Sequence, residues 1–145
     1  MRLVIQRVTQ GSVEIEKQVI SSIGHGYVVL VGIFEVDTEI DVKQIVSKLV
    51  NLRIMSDEEG KMNRSIKEVN GEILLVSQFT LCADMTYGRR PSFIKAMEPQ
   101  KAEKLYLLMK SLLEAERIHV QTGSFGKYMT VNIENDGPVT IVMDS

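Results

Sequence analysis

The sequence predicts an α/β domain in which two helices pack against a mostly antiparallel, barrel-like β-sheet. Short β-branched runs separated by glycine or polar breaks recur along the 145 residues, and two longer stretches show the 3.6-residue apolar spacing of helices. No repeat, low-complexity tract or linker divides the chain. We therefore expect residues 1–145 to form a single domain whose strands follow one another as hairpins.

The strands are predicted from β-branched runs on either side of each helix. In chain order these runs are LVIQRV, SVEIE, QVISSI, YVVLVGI, EILLVSQFTL, HVQTG, MTVNIE and VTIVMD. YVVLVGI and EILLVSQF are apolar on both faces, so we expect helices or a second subunit to cover both sides of the sheet. The NDGP between the last two runs is a strong turn signal and favours a hairpin there.

The two helices have recognisable starts. Thr38, with Asp41 three residues later, resembles a capping box, and Pro99 is a residue tolerated at the first helical position. The predicted buried stripes are Val42, Ile45, Val46, Leu49 and Leu52 in the first helix, and Ala102, Leu105, Tyr106, Met109, Leu112 and Leu113 in the second.

Composition limits the possible partners and location. A net charge of −2 argues against binding along a nucleic acid, although the compact cluster Arg89-Arg90 leaves room for contact with one or two phosphates. No apolar run approaches the ~20 residues that span a bilayer, so no membrane partner is expected. The single cysteine precludes an internal disulfide and fits a reducing compartment. We expect a cytoplasmic protein.

Polar residues interrupt an apolar strand at SQFT. If the strand continued, Ser77 and Phe79 would share one face, and Gln78 and Thr80 the other. A polar group buried without a partner costs roughly 1–3 kcal/mol, so these side chains suit a pocket for a polar ligand. They also suit an exposed strand end whose side chains bond loop backbone, which the pattern alone slightly favours, and both interpretations stay open.

Two further features have a structural and a functional interpretation. Gly137-Pro138 is expected in a turn, but a cis bond there would let two carbonyls point the same way. Arg7 lies within an apolar strand, so it needs carbonyl or carboxylate partners and is expected to hold another segment in place. The loop GRRPSF could clamp a phosphate or be a solvated surface loop.

Several chemistries lack the residues that they need. His25 and His119 have no metal-ligand or triad spacing, and Cys82 has no adjacent activating base. The chain contains no P-loop, no GxGxxG after a strand and no HExxH. We therefore expect neither a metal nor a cofactor.

SQFTL, GRRPSF and NDGPVT together resemble the D-aminoacyl-tRNA deacylases, also called D-tyrosyl-tRNA deacylases. MRLVIQRV, NLRIMSDEEGKMN and VQTGSFG are similar to the same family, so the resemblance covers essentially the whole chain. It implies that family's fold, and a homodimer that hydrolyses the ester between a D-amino acid and the terminal adenosine of tRNA. It also implies activity on mischarged glycyl-tRNA.

The resemblance also assigns roles to residues. It implies a pocket formed by Ser77, Gln78, Phe79 and Thr80, with adenosine near Phe125 and Met129. It implies a cis Gly137-Pro138 pair that enters the partner subunit's site and excludes L-amino acids, braced by Arg7. Cys82 matches no part of the family pattern.

The nucleophile remains a choice between two hypotheses. Thr80 could attack the ester, but no histidine or lysine close in the sequence is available to activate it. Water could attack instead, with the Phe79 and Thr80 N–H groups stabilising the oxyanion and the substrate's 2′-hydroxyl assisting, and we prefer this route. The competing functions are a non-catalytic module that binds a nucleotide or the tRNA end, and a thiol hydrolase that uses Cys82.

Overall fold

The computed structural model describes residues 1–145 and contains eight strands and two α-helices. The strands are β1 (Arg2–Ile15), β2 (Gln18–Ile23), β3 (Gly26–Gly32), β4 (Met55–Ser56), β5 (Met62–Arg64), β6 (Glu72–Ser77), β7 (His119–Thr122) and β8 (Thr130–Asp144). The helices are α1 (Glu39–Val50) and α2 (Pro99–Ala115), and a 3₁₀ turn covers Phe79–Cys82. Neither α-helix is long and apolar enough to span a bilayer.

Both helices begin where the sequence predicts. The Thr38 N–H donates to Asp41 Oδ2 over 2.8 Å, which satisfies an otherwise unpaired backbone donor at the start of α1. Pro99 opens α2, and the carboxylate of Glu98 accepts bonds from the Gln100 and Lys101 N–H groups. Most of each predicted stripe is buried, but Leu52 lies beyond the end of α1, and Leu105 and Leu112 of α2 are only half-buried.

The main sheet has the strand order β2-β1-β3-β6-β7, with β8 paired to β1. β1 is antiparallel to β2, β3 and β8, whereas the β3–β6 and β6–β7 pairs are parallel. The prediction of a mostly antiparallel, nearly closed sheet with two helices is confirmed. The parallel pairs were not expected from sequential hairpins; they arise because α1 and α2 lie in the connections from β3 to β6 and from β6 to β7, and parallel neighbours need such crossovers.

Two pairs of predicted strands are each one continuous strand. LVIQRV and SVEIE both belong to β1, and MTVNIE and VTIVMD both belong to β8. The predicted hairpin at NDGP is therefore wrong. Since Val8 pairs with Asn135 and Gln6 with Thr140, the four residues 136–139 bulge out opposite Arg7 alone.

The core lies on both faces of the sheet. The larger cluster joins the helices to one face and includes Leu3, Tyr27, Leu75 and Tyr106. The smaller cluster on the other face consists of Val8, Val13, Ile23, Val28, Leu74 and Val76. The second face of β3 and β6 is thus covered by β1 and β2, because the sheet curls over itself. The expectation that helices or a second subunit must cover that face was wrong.

Candidate active site

The polar segment SQFT lies where β6 gives way to a turn. Gln78 N–H donates to Val31 O over 2.8 Å and still follows the sheet, but Leu81 N–H then returns to Gln78 O over 3.2 Å and closes a 3₁₀ turn. The strand ends at Ser77, so the predicted strand alternation, with Ser77 and Phe79 on one face and Gln78 and Thr80 on the other, does not continue through SQFT. The tight turn presents the side chains of Phe79 and Thr80 at the surface.

The turn borders a pocket of about 840 Å³. Six residues named from the sequence line it: Ser77, Gln78, Phe79, Thr80, Phe125 and Met129. The remaining walls are mostly apolar and come from the ends of β3 and β6, the start of α2 and the segment before β8. Residues from four distant parts of the chain thus form one concave site, which is typical of a ligand pocket.

The start of the 3₁₀ turn leaves two backbone donors free. Leu81 is the first residue whose N–H bonds back within the turn, so the Phe79 and Thr80 N–H groups have no acceptor there. The Gln78 side-chain amide donates to Thr80 Oγ1 and holds that side chain beside the two amides. Two adjacent N–H groups at a pocket edge can bind an oxyanion.

Few groups at the pocket can transfer a proton. Glu98, Lys127 and Tyr128 are the only titratable side chains that line it. The carboxylate of Glu98 caps α2 through Gln100 N–H at 3.0 Å and Lys101 N–H at 3.2 Å. The Thr80 hydroxyl bonds only to the side-chain amide of Gln78, and an amide N–H cannot accept its proton.

Cys82 is the last residue of the 3₁₀ turn and does not line the pocket. Its thiol is 1% exposed and donates to Ile33 O over 3.4 Å. Burial raises the pKa of this thiol, which lowers its thiolate fraction at neutral pH. A buried, protonated thiol without a base argues against the thiol-hydrolase alternative.

Gly137 and Pro138 do not line this pocket. They sit exposed in the β8 bulge, their peptide bond is cis, and Gly137 has a φ of 128°. Arg7, 7% exposed, contacts the residue before them: its Nε lies 3.2 Å from Asp136 O and 3.0 Å from Asp136 Oδ2. The same guanidinium donates to Ile54 O over 2.8 Å. Arg7 therefore ties the bulge to the segment that precedes β4.

Sequence reasoning missed several pocket residues. Phe93 packs edge-on against Phe79 with ring centroids 5.0 Å apart, and Tyr106 supports Phe125 at 5.7 Å. Phe93 belongs to GRRPSF, so its motif was noted but its place in the site was not. Tyr128, 95% exposed at the pocket, lies between Phe125 and Met129, which were named from the sequence, but was not itself singled out.

No three His, Cys, Asp or Glu side chains are grouped so that they could hold a metal ion. Besides Glu98 and Lys127, the polar groups of the pocket are backbone amides, hydroxyls and the carboxamide of Gln78. The site can therefore bind a polar ligand in an apolar cleft and stabilise negative charge on it.

Comparison with known proteins identifies the class and then the family. In the solved structures, the chain is similar over 99% of its length to one described as a probable eukaryotic D-amino acid tRNA deacylase, with 19% identity and a TM-score of 0.86, which establishes a shared fold. A second, described as c-Myc DNA Unwinding Element Binding Protein, is 42% identical with a TM-score of 0.94, covering 100% of this chain and 99% of that one.

The sequence comparisons are more specific. The family model for D-Tyr-tRNA(Tyr) deacylase matches residues 4–144. D-aminoacyl-tRNA deacylases from Thermoanaerobacter sp. (strain X514) and Bacillus pumilus (strain SAFR-032) are 53% and 52% identical over all 145 residues, covering 97% and 99% of those proteins. The chain belongs to the D-aminoacyl-tRNA deacylase family. The family expected from the sequence is confirmed, and with it the expectation of an enzyme.

Proposed function

We propose that this chain hydrolyses the ester bond of D-aminoacyl-tRNA in the cytoplasm and releases the D-amino acid and free tRNA. The observation that supports this most is the pair of unpaired N–H groups at Phe79 and Thr80, on the edge of an apolar pocket built by SQFT. An ester carbonyl placed against these donors would gain stabilisation as its oxygen becomes negative.

Water is the nucleophile in the mechanism that we propose. It attacks the ester carbon, the Phe79 and Thr80 N–H groups bind the resulting oxyanion, and the terminal ribose oxygen leaves. The 2′-hydroxyl of the same ribose assists proton transfer, because no histidine lines the pocket and its one carboxylate, Glu98, is bonded to the start of α2. Phe125 and Met129, which line the same pocket, would contact the terminal adenosine.

Replacing Thr80 with alanine separates this mechanism from attack by threonine. The backbone N–H remains in the variant, so we expect kcat within about tenfold of the wild-type value. A fall of several orders of magnitude would show that the hydroxyl is the nucleophile. As a second test, a tRNA ending in 2′-deoxyadenosine should be cleaved far more slowly by both enzymes.

A second copy of the chain would complete the site. Gly137 and Pro138 are exposed and do not line the pocket of their own chain, so a role for them in catalysis requires a neighbouring subunit. In the homodimer that we propose, backbone carbonyls of this bulge accept from the substrate ammonium and fill the space that an L side chain needs. Arg7 keeps the bulge in place through Asp136.

This arrangement makes glycine a substrate. A D side chain would project away from the bulge, and glycine has no side chain to exclude, so mischarged glycyl-tRNA should also be hydrolysed. Sedimentation should show a particle of twice the chain mass. Full activity at a dilution where only monomer is present would contradict the shared site.

The deciding assay follows release of labelled D-amino acid from D-aminoacyl-tRNA, with uncatalysed hydrolysis subtracted. Release with turnover supports the deacylase. Binding of the tRNA without release would support the alternative of a non-catalytic module for the tRNA end.

A further inference from the structure

The seven-residue loop Met85–Pro91, called here the arginine loop, contains two cations without a partner. Neither Arg89 nor Arg90 takes part in any hydrogen bond or ion pair of the chain, and both are exposed. By contrast, the guanidinium groups of four other arginines bond to carboxylates or carbonyls: Arg2, Arg7, Arg53 and Arg64. Two adjacent free guanidinium groups form a concentrated positive charge on a protein whose net charge is −2.

The base of the loop is fixed. Asp84 and Ser92 exchange backbone hydrogen bonds of 2.8 and 3.0 Å, and Lys95 Nζ lies 2.7 Å from Asp84 Oδ2. The other oxygen of that carboxylate accepts from Thr86 N–H over 2.9 Å. Asp84 is the only acidic residue between 84 and 95, and these bonds engage both its oxygens. No carboxylate of the segment is left to neutralise the arginines.

The loop also adjoins the pocket. Phe93, immediately after its base, lines the pocket and packs against Phe79. Chain geometry keeps the Cα of Arg89 within about 14 Å of that of Phe93. Tyr87, 94% exposed, places an aromatic face on the same loop, so cations and a stacking surface lie together beside the site.

We propose that the arginine loop binds the unpaired nucleotides that precede the terminal adenosine of tRNA, with Arg89 and Arg90 on their phosphates and Tyr87 stacked on a base. Basic side chains interleaved with an exposed aromatic ring are the combination by which proteins hold single-stranded nucleic acid. This inference rests on the proposed function for the position of the adenosine. It adds a second contact that recognises the single strand and not the reacting ester.

The test compares two substrates that share the ester. For the double variant Arg89→Ala/Arg90→Ala we expect KM for D-aminoacyl-tRNA to rise about tenfold with kcat unchanged, because an exposed charged contact is lost at a distance from the reaction. Kinetics on D-aminoacyl-adenosine, which has no preceding nucleotides, should not change. Equal losses on both substrates, or no loss on tRNA, would overturn the proposal.

Charge-matched variants serve as controls. Lys43→Ala/Lys48→Ala removes two exposed, unpaired cations from α1 and should leave KM for tRNA within twofold. Arg89→Lys/Arg90→Lys retains the charge and should recover most of the affinity. Tyr87→Ser should weaken tRNA binding and leave its salt dependence intact. Thermal unfolding of each variant shows whether the fold is retained.

Salt dependence gives a readout that needs no hydrolysis. Each phosphate contact on a single strand contributes about −0.7 to the slope of log K against log salt, so losing two should flatten the slope by about 1.4. Fluorescence anisotropy with uncharged tRNA measures this whether or not the chain is a deacylase. An acceptor stem lacking its unpaired 3′ nucleotides should bind wild type and the Arg89→Ala/Arg90→Ala variant equally. An unchanged slope with intact tRNA would refute the contact.

Discussion

Arg7→Ala should destabilise the protein far more than the same change at Arg2. Both residues lie on β1 and both pair with an aspartate on β8, Arg7 with Asp136 and Arg2 with Asp144. They differ in burial: the Arg7 side chain is 8% exposed, whereas that of Arg2 is 39% exposed. The pair of variants therefore compares one type of interaction in two environments on the same strands.

The expected magnitude follows from what each alanine leaves behind. Without Arg7, the Ile54 carbonyl loses its 2.8 Å donor and Asp136 loses its cation in a largely enclosed site. Breaking a buried ion pair costs about 3–5 kcal/mol, and the lower end applies because the Asp136 side chain is 36% exposed. We expect a loss of about 3 kcal/mol for Arg7→Ala and less than about 1 kcal/mol for the exposed pair of Arg2.

Urea unfolding followed by far-ultraviolet circular dichroism measures both values at one protein concentration. With a slope of about 2 kcal/mol per molar urea, the midpoint should fall by about 1.5 M for Arg7→Ala and by less than about 0.5 M for Arg2→Ala. The midpoint for Arg7→Lys should lie between those of the two alanine variants, because a lysine ammonium cannot reach both Ile54 O and Asp136 as the guanidinium does. Equal shifts for the two alanine variants would refute the bracing role of Arg7.

Three other predictions concern a close approach of two strands, a buried hydroxyl and the buried thiol. Gly26→Ala should lower the free energy of unfolding by about 3 kcal/mol or prevent folding, since the new Cβ would lie 1.9 Å from Glu72 O. The control Gly24→Ala, whose Cβ would lie 3.8 Å from the nearest atom, should change the free energy of unfolding by less than about 0.5 kcal/mol. In the same urea assay, Tyr106→Phe should lower the free energy of unfolding by about 1 kcal/mol, because the buried tyrosine hydroxyl donates to Leu75 O over 2.6 Å. An unchanged free energy would show that this bond does not help to hold α2 on β6. Cys82→Ala should retain kcat, and iodoacetamide should modify the wild-type thiol only as fast as the protein opens, whereas rapid modification with loss of activity would restore the thiol mechanism.

Sequence reasoning succeeded where the signal was local. The starts of α1 and α2 were predictable from the backbone donors of the first turn. Thr38 and Asp41 accept hydrogen bonds from such donors in α1, and Pro99 has no backbone N–H in α2. The apolar stripes were predictable because the 3.6-residue spacing of apolar residues can be recognised within a window of about a dozen residues. The types of group that bond to Arg7, carbonyls and a carboxylate, were predictable because a buried guanidinium needs hydrogen-bond acceptors.

It failed where distant segments decide the conformation. Asn135–Pro138 has the composition of a hairpin turn, yet β1 pairs with both sides of it and turns it into a bulge. Ser77–Thr80 reads as a continuing strand, but β3 ends at Gly32 and offers no further partner, so the chain turns. The assembly of Phe93, Phe125 and the SQFT turn into one pocket depends on contacts that no local pattern encodes.

The initial rates on D- and L-aminoacyl forms of the same tRNA, measured with the same amino acid, test the proposed account most directly. Exclusion of the L side chain by the Gly137-Pro138 bulge predicts that the wild-type enzyme cleaves the D form at least about 100-fold faster. Comparable rates on the two forms would contradict this exclusion, because neither the pocket nor the bulge would then discriminate between D- and L-amino acids.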